Sequence, residues 1–395
     1  MSRRAPLSAL FGSVALARTG FIASVTVLPL AAEDMLGGTD WSGLPNALSV
    51  AGTAATAGVI ALVAERRGRR AALGLGYLGA IGAGAVAAVA VSAGSFPLLL
   101  VGAFLLGSGN AASNLSRYAA AELSAPAARA QAMGLVIWAG TIGAVVGPVL
   151  LHPAESAMEG LGGAGLAGPL LLGSAGCAAA AAVVWMVRWG GRPAPGSPPP
   201  ERGLPRVSLQ VPDVRLALIA LTLGQVVMVL IMAMTPIHMR HAGEGLGSVG
   251  VVIAAHTLGM FAFSPLSGYL SDRVGRKPVI AAGGAILAVS SVLAAFADGD
   301  DRTLLVVSLF LLGLGWNLGF VAGSALVAES AMPAERVRLE GLTDSLVWMA
   351  AAAGGLASGF ILDLGGFGRL SLTGAALAVG ILALVGSRRA APAPA

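Results

Sequence analysis

The chain has 395 residues, of which 56% are hydrophobic and 11% are charged. Soluble domains carry about 25% charged residues, so this composition predicts a membrane protein and excludes the soluble enzyme folds. The formal net charge of +5 would favour a nucleic-acid partner in a soluble protein. Here membrane topology explains it, and no nucleic-acid partner is expected. The single cysteine, Cys177, excludes a disulfide framework and a cysteine-built metal site.

Apolar runs of about 20 residues, the length that crosses a bilayer, occur twelve times. In chain order they are 8–31, 42–63, 71–93, 96–118, 130–151, 166–189, 214–236, 248–270, 278–297, 302–327, 341–362 and 369–386. The Pro- and Arg-rich segment 190–213 predicts a linker between the sixth and seventh runs. The predicted fold class is therefore an all-α membrane protein with two six-helix bundles, 1–189 and 214–395.

The basic residues mark one side of the predicted membrane. Most of them lie in alternate loops, and the acidic residues collect in the remaining loops, for example Glu33, Glu155 and Asp298. Loops rich in Lys and Arg stay in the cytoplasm. We therefore expect a multi-pass protein of the cell membrane with both termini and the 190–213 linker in the cytoplasm.

The two predicted bundles repeat one another. Residues 65–70 (ERRGRR) precede 272–277 (DRVGRK) by 207 positions, and the same offset joins Glu122 to Glu329. Matches at one offset indicate a parallel repeat with pseudo-two-fold symmetry. Such repeats are typical of transporters that carry their substrate between the two bundles by alternating access.

Residues 268–277, GYLSDRVGRK, resemble the signature loop of the major facilitator superfamily, with a degenerate copy between the second and third runs. The resemblance implies that the acid caps a neighbouring helix and that the arginines pair with acids, which latches one access state. The residues to which it assigns this gating role are Glu65, Arg66, Arg69, Gly268, Asp272, Arg273, Gly275 and Arg276. The first copy has Ala61 in place of glycine and Glu65 in place of aspartate, so we expect a weaker latch there.

Methionine and histidine pairs stand out in the seventh and eighth runs. Met228 and Met232 are four residues apart, as are His256 and Met260, and such pairs share one helical face. If the two faces turn toward each other, three thioethers and one imidazole converge, a set that suits copper and particularly Cu(I). The alternative is that the methionines only pack in the core. Near the outer end, His238, Met239 and His241 could capture the ion first.

These pairs, with 28 residues from Met228 to His256, resemble the metal motifs of the CcoA-like transporters, bacterial copper importers within the same superfamily. The resemblance implies that the copper ligands are Met228, Met232, His256 and Met260. It further implies that the cargo is copper. We expect a monomer with no cofactor of its own and with a cytosolic copper acceptor as a possible partner.

Six further polar residues inside the runs are candidates for cavity or coupling roles: Arg18, Asn110, Asn114, Trp316, Asn317 and Asp344. Intramembrane polar residues are functional candidates by default. Arg18 could bind an anion, set the field of a cavity, couple to protons or serve the structure alone. Asp344, expected in the first turn of its helix, could cap that helix or couple transport to protons.

The first functional hypothesis is thus a secondary transporter that imports copper. The alternative is a proton-coupled exporter or importer of a small organic molecule, either a drug-like compound or riboflavin. A receptor or scaffold is disfavoured because no long soluble domain is apparent. ATP hydrolysis is disfavoured because the sequence lacks the P-loop pattern GxxxxGK[ST], and no enzymatic activity is expected.

Overall fold

The computed structural model describes residues 4–37, 41–186, 204–244 and 246–387, and all regular structure within these ranges is helical. Two one-turn 3-10 helices occur at Pro126–Ala128 and Ser208–Gln210. The α-helices are α1 Arg4–Leu36, α2 Leu44–Arg67, α3 Arg69–Ala93, α4 Phe96–Leu123, α5 Arg129–Val149, α6 Leu151–Gly160, α7 Ala167–Met186, α8 Pro212–His241, α9 Leu246–Phe261, α10 Ser264–Val274, α11 Arg276–Phe296, α12 Arg302–Ser330 and α13 Arg336–Ser387.

The predicted spans are confirmed as apolar helices. Among the described residues, 11 helical stretches are long and apolar enough to cross a membrane, and the last of these, Arg336–Ser387, holds two of the predicted runs. Its helix is interrupted at Gly365 and Gly366, where φ is −170° and 72°. Because the second value lies in the left-handed region, which glycine enters without a steric penalty, the chain can turn between the last two spans there.

The structure differs from the sequence prediction at two places. The predicted outer loop after the fifth run contains α6, an exposed helix of 10 residues, which is too short to cross a bilayer. The eighth run is broken at Ala262–Phe263 into α9 and α10. Pro265 stands in the first turn of α10, where its missing N–H costs no intrahelical bond. Of the predicted linker, 190–203 lies outside the described residues.

The helices group into two compact units. The first holds α1 to α4, α6, α7, the part of α5 from Ala139, and Pro333–Met349; the second holds Ala125–Trp138, α8 to α12 and the rest of α13. These units differ from the sequence repeat because a part of α5 and a part of α13 each group with helices from the other end of the chain. The predicted division into 1–189, 190–213 and 214–395 stays a prediction.

Small residues allow close helix packing within each unit, as is usual for helices in lipid. In the first unit, a Cβ at Gly107 would overlap the backbone of α2 at Gly52 and Thr53. In the second unit, a Cβ at Gly283 would meet the α12 backbone at Gly315 and Gly319. In the second unit α12 packs extensively against α8, α9 and α11, so α12 positions the residues of the candidate metal site.

Candidate functional site

His256 lies at the tight contact between α9 and α12. Its side chain is buried, with 1% exposure, and its Nδ1 is 3.0 Å from the carbonyl oxygen of Leu309. Because a carbonyl oxygen can only accept, Nδ1 carries the ring proton and Nε2 keeps its lone pair. This Nε2 is buried and has no hydrogen-bond partner. The structure therefore holds an imidazole whose Nδ1–H is bonded to Leu309 and whose buried Nε2 has no hydrogen-bond partner.

Two glycines fix the position of His256. A Cβ at Gly313 would overlap the His256 carbonyl oxygen, and a Cβ at Gly259 would overlap the carbonyl oxygen of Phe310. The backbones of α9 and α12 therefore touch at His256 and again one turn later, at Gly259. This close approach brings the imidazole within hydrogen-bond distance of α12.

The three methionines proposed as ligands lie on helices that share α12 as a neighbour. Met228 is buried, whereas Met232 and Met260 are half-buried. Helices α8 and α9 each pack on α12 and touch each other little, so the two pairs are related through α12 rather than by direct interleaving. The convergence of the four side chains on one ion stays a prediction.

Trp316 of α12 links the two helices that carry the pairs. Its indole N–H donates to Gln225 Oε1 on α8 over 2.8 Å, and its ring lies edge-on to Phe261 on α9, with centroids 6.4 Å apart. The ring of Phe320 stacks on it at 4.5 Å. Sequence reasoning named Trp316 but missed Gln225, one turn before Met228 on the same face of α8.

Asn317 occupies the break between α9 and α10. Its amide nitrogen donates to the Met260 carbonyl and to Ser264 Oγ, and its oxygen accepts from Ser267 Oγ, each over 2.5 Å. It is fully buried. Asn317 thus satisfies polar groups that the helix break exposes, including the carbonyl of a predicted copper ligand.

The three residues predicted to capture the ion lie in different environments. Met239 is fully buried, His241 is exposed, and His238 is half-buried. His238 Nε2 is 3.0 Å from the carbonyl oxygen of Ala297, and the imidazole stacks on Phe367 with centroids 4.2 Å apart. Met239 therefore faces the protein interior, and the capture of an ion by the three residues stays a prediction. His241 is the exposed member.

A second polar cluster lies in the first unit, on α1 and α4. Arg18 Nη1 donates to Asn110 Oδ1 over 2.7 Å, and Nη2 donates to Asn114 Oδ1 over 2.6 Å. Asn110 in turn donates to Thr53 Oγ1 over 3.2 Å. The structure thus brings together three of the residues predicted for cavity or coupling roles.

Asp344 forms a buried ion pair with Arg117 of α4. Arg117 Nη2 is 2.5 Å from Asp344 Oδ1, and the two side chains are 1% and 2% exposed. The expected position of Asp344 in the first turn of its helix is wrong, because α13 begins at Arg336 and extends beyond the apolar run. Helix capping is therefore excluded, and the carboxylate is used by the ion pair.

The second signature loop has the arrangement that the resemblance implies. Asp272 accepts from the backbone N–H groups of Ala130 and Gln131, over 3.2 and 2.8 Å, at the start of α5. Arg276 pairs with Asp272 at 2.6 Å and with Glu329 at 2.5 Å. Gly268 is required because a Cβ there would overlap the Ala130 carbonyl.

Two other residues of this loop have local roles. Gly275, between α10 and α11, has φ of 100°, a conformation that L-residues with a side chain rarely adopt. The guanidinium of Arg273 lies 5.3 Å from the centre of the Tyr269 ring, and the Arg273 side chain is exposed. Gly275 thus serves the turn, and Arg273 contacts an aromatic face.

The first signature loop differs from the second, as its Glu65 in place of aspartate suggests. Arg69 pairs with Glu122 at 2.7 Å and also with Glu340 of α13. Glu65 pairs with the Arg338 side chain at 3.1 Å instead of capping a helix, and Arg66 is exposed. Sequence reasoning missed Glu340 and Arg338, because α13 starts before the apolar run that marked it.

The described parts of the chain, with eleven apolar helical stretches and buried ion pairs, have the architecture of a multi-pass membrane protein. The sequence profile of the Major Facilitator Superfamily matches residues 10–248 and 216–394, and the chain belongs to this superfamily. It is a transporter and not an enzyme.

The chain is also similar to individual transporters. The chain is 36% identical to the uncharacterized MFS-type transporter YdeG of Bacillus subtilis, with 96% of this chain and 89% of YdeG covered. It is 28% identical to the riboflavin transporter RfnT of Brucella anthropi, over 76% and 74% of the two chains. The crystal structure of the human organic anion transporter MFSD10 superposes with a TM-score of 0.79 at 18% identity, covering 98% and 100%. This last likeness shows the fold alone.

Proposed function

We propose that this transporter imports copper across the cytoplasmic membrane by alternating access, with Met228, Met232, His256 and Met260 as ligands. Both termini lie in the cytoplasm, the transporter acts as a monomer, and a cytosolic acceptor takes the ion. The inward direction rests on the resemblance to the CcoA-like importers. The proposed mechanism, secondary transport, also agrees with membership of the Major Facilitator Superfamily.

The observation that carries the proposal is the unused Nε2 of His256. A histidine that binds a metal usually donates its other ring N–H to a carboxylate or a backbone carbonyl, which fixes the tautomer. The bond from Nδ1 to the Leu309 carbonyl is of this kind. A buried polar atom without a partner costs about 1–3 kcal/mol, so a bound ion would remove a penalty that the fold otherwise carries.

The surrounding ligand types select the metal. Thioethers favour Cu(I) and discriminate against Mg²⁺, Ca²⁺ and Mn²⁺, which prefer oxygen ligands. Met232 and Met260 are half-buried, which leaves their sulfur-bearing side chains partly accessible. Among the described residues no group of three or more His, Cys, Asp or Glu could hold a metal; the proposed site differs in kind, since it combines three methionines with one histidine.

Copper accumulation in cells, measured by elemental analysis, tests the proposal. His256→Asn keeps an amide donor for the Leu309 carbonyl but removes the nitrogen ligand, so it separates metal binding from helix packing. Matched controls are His152→Asn and Met349→Ala, because both native side chains are exposed. We expect His256→Asn, Met228→Ala, Met232→Ala and Met260→Ala to lose copper uptake at equal membrane abundance. Uptake equal to wild type in all four would contradict the proposal.

The second candidate function is transport of a small organic molecule. RfnT, a relative of 28% identity, is a riboflavin transporter, and the stacked Trp316 and Phe320 rings with Phe261 at their edge form an aromatic surface that suits a planar ring. Uptake of riboflavin that falls with Trp316→Leu but survives His256→Asn would support this candidate over copper.

A further inference from the structure

Arg18 is a membrane-span arginine whose charge is not balanced by an acid. It lies near the middle of α1 and is half-buried. None of the ion pairs among the described residues includes it. An arginine at the centre of a span costs at least about 2.5 kcal/mol, so an uncompensated one calls for a functional explanation.

The two asparagines that hold Arg18 orient the guanidinium without neutralising it. Asn110 Oδ1 and Asn114 Oδ1 each accept from one of its Nη atoms. Each amide oxygen thereby accepts one hydrogen bond from the cation. The hydrogens that remain on the guanidinium and on the asparagine side chains are donors, and these three residues include no negatively charged acceptor.

Asn114 supplies a second, independent observation. Its side chain is buried, with 6% exposure, and its Nδ2 has no hydrogen-bond partner. Asn110 Nδ2, in contrast, donates to Thr53. A buried amide donor without a partner costs about 1–3 kcal/mol, and here it lies on the residue that also contacts the unpaired cation.

Nearby charges do not remove the imbalance. Arg117, one turn further along α4 from Asn114, is neutralised by Asp344 at 2.5 Å. The position of Arg18 is also fixed from α5, since a Cβ at Gly143 would overlap the Arg18 Cβ and the adjoining backbone. Arg18, Asn110 and Asn114 therefore form a set of closely packed polar groups with one net positive charge.

We propose that Arg18 and Asn114 form an anion-binding site that takes the carboxylate of a small organic anion. A carboxylate has one charge, which matches the single charge of Arg18, a residue in no ion pair within the described ranges. Its two oxygens can accept from a guanidinium N–H and an amide N–H together. All residues of this site belong to the first compact unit, whereas the proposed copper ligands belong to the second. A negative result for one proposal therefore does not contradict the other.

A binding experiment without copper tests this site. Purified protein is heated with acetate, lactate or benzoate, and in parallel with acetamide, lactamide or benzamide, which have similar shapes and no charge; sodium chloride forms a third arm. Cys177, the only cysteine and a buried one, reports unfolding through its reaction with a thiol-specific dye. We expect at least one carboxylate to raise the unfolding temperature while its amide and chloride do not.

Variants identify the residues involved. Arg18→Gln should weaken carboxylate binding at least about tenfold, the loss expected for a charge-assisted hydrogen bond, and Arg18→Lys should weaken it less. Asn114→Asp places a carboxylate beside Arg18, so it should abolish the response while the protein without ligand becomes more stable. Arg369→Gln, at an exposed arginine, should leave binding unchanged.

Three results would overturn the proposal. The first is an equal response to chloride and to the carboxylates, which would show a general salt effect. The second is the absence of any carboxylate response. The third is an unchanged response in Asn114→Asp, because an internal carboxylate would then fail to compete with the ligand.

Discussion

Removal of one partner from the ion pair between Arg117 and Asp344 should strongly lower the unfolding free energy of the first unit. The atoms are 2.5 Å apart and the side chains are 1% and 2% exposed, so water cannot solvate a charge left alone. Breaking a buried pair costs about 3–5 kcal/mol, whereas replacing both partners by apolar residues is often neutral. Arg117→Met and Asp344→Leu should each cost about 3–5 kcal/mol in unfolding free energy, and the double variant should recover most of that loss.

A solvent-exposed pair provides the comparison. Arg302 and Glu244 are 3.2 Å apart, with side chains 55% and 17% exposed. Exposed pairs contribute about 0–1 kcal/mol, so Arg302→Gln should change stability little. The contrast tests whether burial, rather than the presence of opposite charges, determines the cost.

The assay is equilibrium unfolding in a detergent titration, followed by dye labelling of Cys177, which is 4% exposed in the folded protein. A double-mutant cycle isolates the energy of the pair from the other contacts of each residue. The reasoning is refuted if each single variant costs less than about 1 kcal/mol, the value for exposed pairs. It is also refuted if the double variant costs the sum of the two single variants.

Three further variants test other parts of the structure. Asn317→Ala removes up to three buried hydrogen bonds, each worth about 0.6 kcal/mol in a membrane protein, so it should lower the unfolding free energy by about 2 kcal/mol. An unchanged detergent titration would contradict the bridging role of Asn317. Asp272→Asn should speed amide exchange at the start of α5 about fivefold, for a cap worth about 1 kcal/mol, and exchange equal to wild type would argue against the cap. Gly313→Ala should lower the unfolding free energy by about 1–3 kcal/mol through overpacking. Gly319→Ala should be neutral or stabilising, because a Cβ there would meet nothing within 4 Å. Equal effects of the two variants on thermal stability would disprove the close contact.

The sequence predicts the membrane spans well because hydropathy alone determines which segments cross a bilayer. Each of the twelve runs overlaps an apolar helix in the described part of the chain, and the turn between the last two falls at Gly365–Gly366. Prediction from the sequence fails where a feature depends on contacts between residues that are distant in the chain. The break in the eighth run depends on Asn317, which lies more than 50 residues later in the chain and satisfies the Met260 carbonyl and Ser264.

The candidate site shows the same limit. Spacing identified His256 as a member of a helical pair, but the tautomer follows from Leu309 on α12, which no local pattern indicates. The partner of Asp344, Arg117 on α4, is equally hidden, because no local pattern joins two residues that are more than 200 positions apart. Hydropathy indicates where a helix lies, whereas the atom that a buried polar group contacts depends on packing between distant helices.

The measurement that tests the central claim most directly is X-ray absorption of Cu(I) bound to the purified protein. The proposal predicts one ion per chain, with sulfur scattering from methionine together with nitrogen scattering from His256. His256→Asn should lose the nitrogen contribution while Cys177→Ala leaves the spectrum unchanged. Failure to bind Cu(I), or a spectrum of wild type that His256→Asn does not alter, would contradict the account.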